Sequence, residues 1–145
     1  MSLKLLLIAL CLIGGVTISL QTPLASLMST HIGVIQSAFI VNIGGAIASG
    51  MVLLFIGFNL NKLSQVPWYA ICAGILGVVI ISVTNYVIPN IGVASTLSLI
   101  IAGQLIAGMV IDRYGIFHTA VRPFDINRLV GLILISSGAW LILRK

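Results

Sequence analysis

The side chains of this sequence that could bind a solute are amides and hydroxyls that lie inside long apolar segments. They are Gln21, Asn42, Gln104, Ser95 and Thr96. Such groups donate and accept hydrogen bonds, and in an apolar medium each needs a partner, either a neighbouring helix or a bound molecule. We interpret them as candidate ligands of a small polar solute. For Asn42 and Gln104 the alternative is a structural hydrogen bond within a helix bundle.

Helical spacing places these polar residues beside small side chains. Gln21 follows Gly14 and Thr17 at helical spacings, hence on one face, and Asn42 lies on a stripe of alanine, glycine and serine. Small-residue stripes let another backbone approach closely. The segment with Gln104 has small or polar groups on several sides, so we expect it at the centre of the assembly. Asn85, near the end of another segment, is interpreted as an interfacial residue.

Five charged residues surround one predicted loop, and they are Asp112, Arg113, Arg122, Asp125 and Arg128. Asp112 follows an apolar segment directly, so we expect it to form an ion pair with one of these arginines and to clamp the loop. The alternative is proton coupling, because a proton-coupled exporter needs an ionisable group in its pathway.

No set of residues is typical of a catalytic or metal site. The sequence has only 2 acidic residues, and neither stands beside a nucleophile or base. His31 and His118 have no partner at metal-ligand spacing. Cys11 and Cys72 lie in apolar segments, where a small buried thiol is the expected role. We therefore predict no enzyme, no metal and no cofactor.

The distribution of charge identifies the solvent of this protein. Between Lys62 and Asp112, 49 consecutive residues carry no charge, and charged residues make up 6% of the sequence, against about 25% in a soluble domain. The mean hydropathy is +1.27. A charge at the centre of a bilayer costs at least ~2.5–3.5 kcal/mol. The sequence therefore predicts an integral membrane protein.

The lengths of the uncharged segments predict five transmembrane helices. One spanning helix needs about 20 apolar residues, so the 49-residue segment holds two, which we separate at Pro89 and Gly92. Continuous apolar segments exclude a barrel, whose strands alternate. We predict one all-α domain over residues 1–145, with helices at Leu3–Met28, Gly33–Gly57, Trp68–Ile88, Gly92–Ile111 and Asn127–Leu143.

The basic residues favour one orientation only modestly. Five of them fall on one side of the predicted membrane and two on the other, which by the positive-inside rule predicts a cytoplasmic N-terminus. The first group is Lys4, Lys62, Arg113, Arg122 and Arg128, and the second is Arg144 and Lys145. Seven cations spread over several junctions form no basic patch, so a nucleic-acid partner is excluded.

The odd number of predicted helices affects how two chains could assemble. Two chains inserted in opposite directions would produce the inverted-repeat plan of many transporters. The sequence shows no internal repeat, so we expect this symmetry from a second chain, either another copy or a related five-helix protein. The alternative function is a membrane assembly subunit that transports nothing and uses its small-residue stripes only for packing.

Several segments together resemble one family. Ile111-Asp112-Arg113-Tyr114-Gly115 resembles the I-D-x-x-G segment of the YdcZ-type, five-helix members of the drug/metabolite transporter superfamily. Similar stretches follow the family's order along nearly the whole chain: Gln21, Phe39 with Asn42 and Gly44, Trp68, Gly74 with Gly77, Gly92 to Thr96, Gly103-Gln104, Arg122-Pro123-Phe124, Arg128, Gly131 and Gly138. One departure is Thr22-Pro23 after Gln21, where many relatives carry asparagine.

The resemblance implies half of an inverted-repeat transporter in the bacterial inner membrane. The larger members of the drug/metabolite transporter superfamily contain two inverted five-helix halves. A five-helix chain would then transport a small molecule as an antiparallel dimer by alternating access. The resemblance supplies no substrate.

Overall fold

Long α-helices account for most of the chain in the computed structural model, which describes residues 3–57, 65–123 and 125–144. The helices are α1 Leu3–Ile32, α2 Val34–Ile56, α3 Trp68–Ile71, α4 Ala73–Ile91, α5 Val93–Tyr114 and α6 Ile126–Leu143. Because α3 and α4 together form one segment, Trp68–Ile91, the described residues contain five segments long and apolar enough to cross a membrane. The predicted all-α membrane fold is confirmed. Lys62, Phe124 and Lys145 lie outside the described residues.

Three helices run further than the sequence predicts. α1 continues past Met28 to Ile32, α4 continues past Ile88, through Pro89, to Ile91, and α5 continues past Ile111 to Tyr114. α1 and α4 end only where a glycine follows, at Gly33 with φ 95° and ψ 157° and at Gly92 with φ 82° and ψ 166°. This backbone region is essentially restricted to glycine. The helix break therefore lies at the glycine rather than at the proline.

The two glycine junctions share a tripeptide that the sequence reasoning did not recognise as a repeat. Ile32-Gly33-Val34 joins α1 to α2, and Ile91-Gly92-Val93 joins α4 to α5. Four residues after each glycine stands a buried hydroxyl residue, Ser37 or Thr96. Each donates its backbone N–H to the glycine carbonyl, at 3.0 and 3.2 Å. The chain thus contains the same local turn twice.

The chain divides into two compact units, Met1–Asn90 and Ile91–Lys145. In the first unit α1 packs against α2, and the buried residues are mostly polar: Ser26, Ser29, Ser37, Thr84 and Asn85, with Ala25, Ala38 and Ile88. The hydroxyl of Ser37 donates to the Ala25 carbonyl at 2.7 Å and so joins α2 to α1. Small and polar contacts of this kind hold helices together in a bilayer, where burial of apolar surface gives no driving force.

Asn85 ties α4 into this polar core. Its amide nitrogen donates to the Val34 carbonyl of α2 at 3.5 Å, and its side chain is 1% exposed. Pro89 has no N–H for the Asn85 carbonyl one turn earlier. The Ser29 hydroxyl of α1 lies 3.4 Å from that carbonyl, and its one hydrogen is shared with the nearer Ser26 carbonyl at 2.7 Å. The Asn85 carbonyl thus meets a polar group from α1 where the helix passes through Pro89. Asn85 is thus buried within the helix bundle rather than exposed, and its depth in the membrane stays a prediction.

Candidate functional site

A groove of about 360 Å³ follows the packed pair α5 and α6 in the second unit. Its wall on α5 is Gln104, Leu105, Gly108, Met109 and Asp112, and its wall on α6 is Arg128, Gly131, Leu132 and Ile135. Both sets recur at intervals of three and four residues, which places each set on one helical face. The groove therefore follows directly from the sequence periodicity of the two helices.

Two glycines create the space in this groove. A Cβ atom added at Gly108 or at Gly131 would meet no neighbouring atom within 4 Å. Gly108 lies midway between Gln104 and Asp112 on the α5 face, and Gly131 lies one turn after Arg128. The missing side chains leave room in a groove that has apolar walls, the Asp112–Arg128 pair near one end and the Gln104 amide near the other.

An ion pair occupies one end of the groove. The Arg128 guanidinium donates through Nη1 to Oδ2 of Asp112 at 3.1 Å, and the two side chains are 34% and 37% exposed, respectively. Arg113 and Arg122 are exposed, and within the described residues neither side chain forms an ion pair. The structure thus pairs Asp112 with the arginine that belongs to α6.

The loop between the two helices holds Asp112 through its backbone as well. The Arg122 N–H donates to the Asp112 carbonyl at 2.9 Å. The loop reverses at Gly115, whose φ of 62° is left-handed and whose N–H caps α5 through the Ile111 carbonyl. A Cβ at Gly115 would lie 2.8 Å from Cγ2 of Val121. A glycine is therefore needed for the chain to return to Asp112.

Asp125 fixes the start of α6 and hence the position of Arg128. Its carboxylate Oδ1 accepts the Asn127 N–H at 3.1 Å, an N-cap interaction. The Arg128 N–H donates to the Asp125 carbonyl at 3.0 Å. Arg128 thus lies in the first turn of α6, facing the last turns of α5, and the ion pair joins one helix end to the other.

Gln104 lies in the groove about 12 Å along α5 from Asp112, at ~1.5 Å per residue. Its side chain is exposed, and within the described residues it makes no hydrogen bond. Ser95 and Thr96 do not line the groove, because they are buried, and the Thr96 hydroxyl donates to the Gly92 carbonyl at 2.7 Å. Of the predicted site residues in this unit, the structure brings together Gln104, Asp112 and Arg128.

The predicted ligands of the first unit have different surroundings. Gln21 is exposed on α1 and makes no hydrogen bond to a described residue. Asn42 is half-buried, and its amide nitrogen donates to the Ala38 carbonyl of its own helix at 2.7 Å. Its Oδ1 lies 3.7 Å from the place where a Cβ of Gly77 would stand. Asn42 therefore has the geometry of a packing contact between α2 and α4.

The sequence reasoning missed the apolar walls of the groove and the role of its glycines. The available signal was the spacing of Gly108 from Gln104 and from Asp112, four residues in each direction, and of Gly131 from Arg128. Polar residues in apolar segments are conspicuous, whereas Leu105, Leu132 and Ile135 resemble every other apolar residue until a facing helix is present.

Comparisons with known proteins agree with this architecture. Residues 6–141 match the family described as "Putative inner membrane exporter, YdcZ". The inner membrane protein YdcZ of Escherichia coli (strain K12) is 33% identical over 91 residues, which cover 61% of this chain and 58% of that protein. The aligned part of the chain thus spans little more than half the length of this relative. No solved structure matches the chain. With its family match and the five apolar spans among its described residues, the chain belongs to the YdcZ family and is a multi-pass inner-membrane protein, as its sequence resemblance predicted.

Proposed function

We propose that the protein transports small molecules across the inner membrane and works as an antiparallel dimer by alternating access. The family is described as an exporter, which supports transport as the activity. The number of spans supports the dimer. The described residues contain five spans, and a second chain inserted in the opposite direction would add five spans of inverted topology. Together the two chains would complete the inverted repeat.

The observation that carries this proposal is the uncovered amide of Gln104. It lies near the middle of the spanning helix α5 and is exposed, with no hydrogen-bond partner among the described residues. An amide left unpaired in an apolar medium costs about 2–7 kcal/mol. We infer that Gln104 faces either water in a transport pathway or a polar group of a solute. Gln21 on α1, also exposed and unpartnered within the described part, supports the same inference for the first unit.

We propose different roles for the remaining candidates. Asn42, Ser95 and Thr96 stay possible solute ligands only after rearrangement, since Asn42 and Thr96 already donate within their own helices and Ser95 is buried. We assign Gln104 and Gln21 to the lining of the solute pathway in this state. Alternating access would then expose these amides to one side of the membrane at a time.

Labelling from the two sides of the membrane tests the antiparallel arrangement. The two native cysteines, Cys11 and Cys72, are replaced by alanine, and Ala120→Cys places a thiol in the exposed α5–α6 loop. A membrane-impermeant maleimide is applied to intact cells and, separately, to inside-out vesicles. The proposal expects two labelled populations of similar size. Labelling from one side only would rule out the antiparallel homodimer and require a different chain as partner.

Transport itself is tested with Gln104→Ala in proteoliposomes. A panel of radiolabelled amino acids, amines and carboxylates is offered to the wild type and the variant, and empty liposomes set the background. Gln65→Ala is the matched control, because Gln65 is exposed and precedes the third span. We expect transport to be lost in Gln104→Ala and kept in the control, while both proteins still dimerise. A wild type that moves no panel member faster than empty liposomes would overturn the proposal.

The alternative, an assembly subunit without transport, is favoured by one observation, the packing contact of Asn42 against Gly77. It makes the opposite prediction for the same variant. If Gln104 serves only to join chains, Gln104→Ala weakens association, which size-exclusion chromatography or crosslinking detects.

A further inference from the structure

We infer that the α5–α6 groove binds a small zwitterion with an apolar body, its two charges held by Asp112 and Arg128 and its body by the glycine-opened walls. This names the substrate class of the groove and rests on the proposed transport function. Three features of the groove support this inference: the unused bonding capacity of the ion pair, the neutrality of the pair and the size of the groove.

The ion pair leaves most of its bonding capacity unused. One bond joins Nη1 of Arg128 to Oδ2 of Asp112, and no other hydrogen bond to either side-chain head is found among the described residues. A guanidinium has five N–H donors, and a carboxylate has two oxygens that accept several bonds. Both groups line the groove, and their side chains are about one third exposed, at 34% and 37%. Donors and acceptors of opposite charge therefore stand side by side and accessible.

The neutrality of the pair selects the charge of the ligand. A ligand with a single net charge would bring an uncompensated charge into a site of low polarity and would also compete with one member of the pair. A zwitterion presents its carboxylate to Arg128 and its ammonium to Asp112, so that every charge keeps a partner. A guanidinium is also well suited to carboxylates, because its planar fork can bind both oxygens.

The walls and dimensions of the groove select the rest of the ligand. Between the ion pair and Gln104 the side chains are aliphatic or thioether: Leu105, Met109, Leu132 and Ile135. A volume of about 360 Å³ lies at the lower end of the ~300–1,000 Å³ range of ligand pockets. The ligand is therefore smaller than a typical drug. Gln104, about 12 Å from Asp112 along α5, places a polar amide near the far end of the groove.

A zwitterionic phospholipid shares the head-group chemistry, but the groove favours a free solute. An acyl chain would need an apolar end to the groove, and the end opposite the ion pair carries the amide of Gln104. The short apolar body of a free zwitterion fits beside Gly108 and Gly131 and does not bury the Gln104 amide against hydrocarbon.

Matched probes test the inference on the purified, detergent-solubilised protein. Leucine, methionine and phenylalanine are each compared with the amine that lacks the carboxylate and the acid that lacks the ammonium, by calorimetric titration. At least one zwitterion should bind about 10-fold or more tightly than both of its singly charged analogues, since each lost charge-assisted bond is worth about a factor of ten. An amine or acid that binds as tightly as every zwitterion would overturn the inference.

Charge variants test whether Asp112 and Arg128 make the selection. Asp112→Asn combined with Arg128→Gln keeps hydrogen-bonding groups and should remove the preference for the zwitterion. The reversed pair, Asp112→Arg with Arg128→Asp, keeps an ion pair and should restore it. Asp125→Asn is the control, because asparagine also caps a helix and Asp125 lies outside the groove. An unchanged preference in the neutral double variant would overturn the inference.

Nanodiscs separate the solute from the lipid. If phosphatidylethanolamine, but not phosphatidylcholine, displaces the bound zwitterion and this displacement requires Asp112 and Arg128, the natural occupant is a lipid and the solute assignment is wrong. Binding in detergent is independent of transport. Zwitterion binding without transport would therefore defeat only the proposed function, and transport without zwitterion preference would defeat only this inference.

Discussion

The ion pair between Asp112 and Arg128 should contribute measurably to the stability of the second unit. It joins the last turns of α5 to the first turn of α6 through one bond of 3.1 Å. Asp112→Asn removes the charge with almost no change of shape and leaves Arg128 without its anion. The perturbation therefore acts on the contact between the two helices rather than on either helix alone.

The magnitude follows from the geometry. A hydrogen bond to a charged group contributes about 1.5–3 kcal/mol when it is buried, whereas fully exposed ion pairs contribute only about 0–1 kcal/mol. The exposures of 37% for Asp112 and 34% for Arg128 place this pair between the two cases. After this discount for solvent screening we expect Asp112→Asn to lower the free energy of unfolding by about 1–2 kcal/mol.

Equilibrium unfolding in mixed micelles measures this change, with the fluorescence of Trp140 on α6 as the signal after Trp68→Phe. Asp125→Asn is the matched control: it removes the same charge from the same loop but keeps the N-cap, so its effect should stay below about 0.5 kcal/mol. A double-mutant cycle with Arg128→Gln should give a coupling energy of about 1 kcal/mol. Equal destabilisation by the two aspartate variants, or zero coupling, would refute the reasoning. If Asp112 instead couples transport to protons, Asp112→Asn keeps full stability and loses its response to a pH gradient.

Three further substitutions test other parts of the structure. Gly131→Leu fills the groove from α6 and should abolish solute uptake in proteoliposomes while chromatography still finds the dimer; uptake at the wild-type rate would exclude the groove from the pathway. Gly115→Ala places a Cβ at φ 62° and 2.8 Å from Val121 Cγ2, so thermal denaturation should show a loss of about 1–2 kcal/mol, and no loss would mean that the loop reverses differently. Ser37→Ala removes the 2.7 Å bond to the Ala25 carbonyl and should cost about 0.6–1 kcal/mol in the same assay, whereas an unchanged midpoint would show that this bond does not stabilise the α1–α2 contact.

The number and type of the spans could be predicted because both depend on the solvent alone. Lipid excludes charge, and the uncharged segments between Lys4 and Arg144 therefore mark the helices whatever their packing. The helix ends were harder to place. Pro89 looks like a terminator, yet the helix passes through it, and the Ser29 hydroxyl that lies 3.4 Å from the Asn85 carbonyl comes from another helix. That neighbour is a tertiary feature with no local sequence signal.

The site was predictable to the level of residue type and no further. Gln104 stands out because an amide is rare in a spanning helix, and Asp112 because it is one of 2 acids. Spacing cannot choose among the arginines near Asp112, since the choice depends on how Gly115 turns the loop and how Asp125 starts α6. Spacing also cannot show that the Asn42 amide donates to a carbonyl of its own helix, because an asparagine that makes no such bond would stand in the same sequence pattern.

The single-residue junctions at Gly33 and Gly92 restrict where the chain can carry the basic residues that set its orientation in the membrane. During synthesis, the one-residue connection between α1 and α2 provides no polar segment that could stay in the aqueous phase. We therefore expect the two helices to enter the bilayer together. Neither junction has room for a lysine or arginine outside a helix, so the orientation depends on the chain ends and the two longer connections. If the chain inserts in both orientations as proposed, basic substitutions at those places would bias it toward one of them. Two duplicated copies could diverge in this way into a pair of oppositely oriented subunits without any change to the residues that pack their helices.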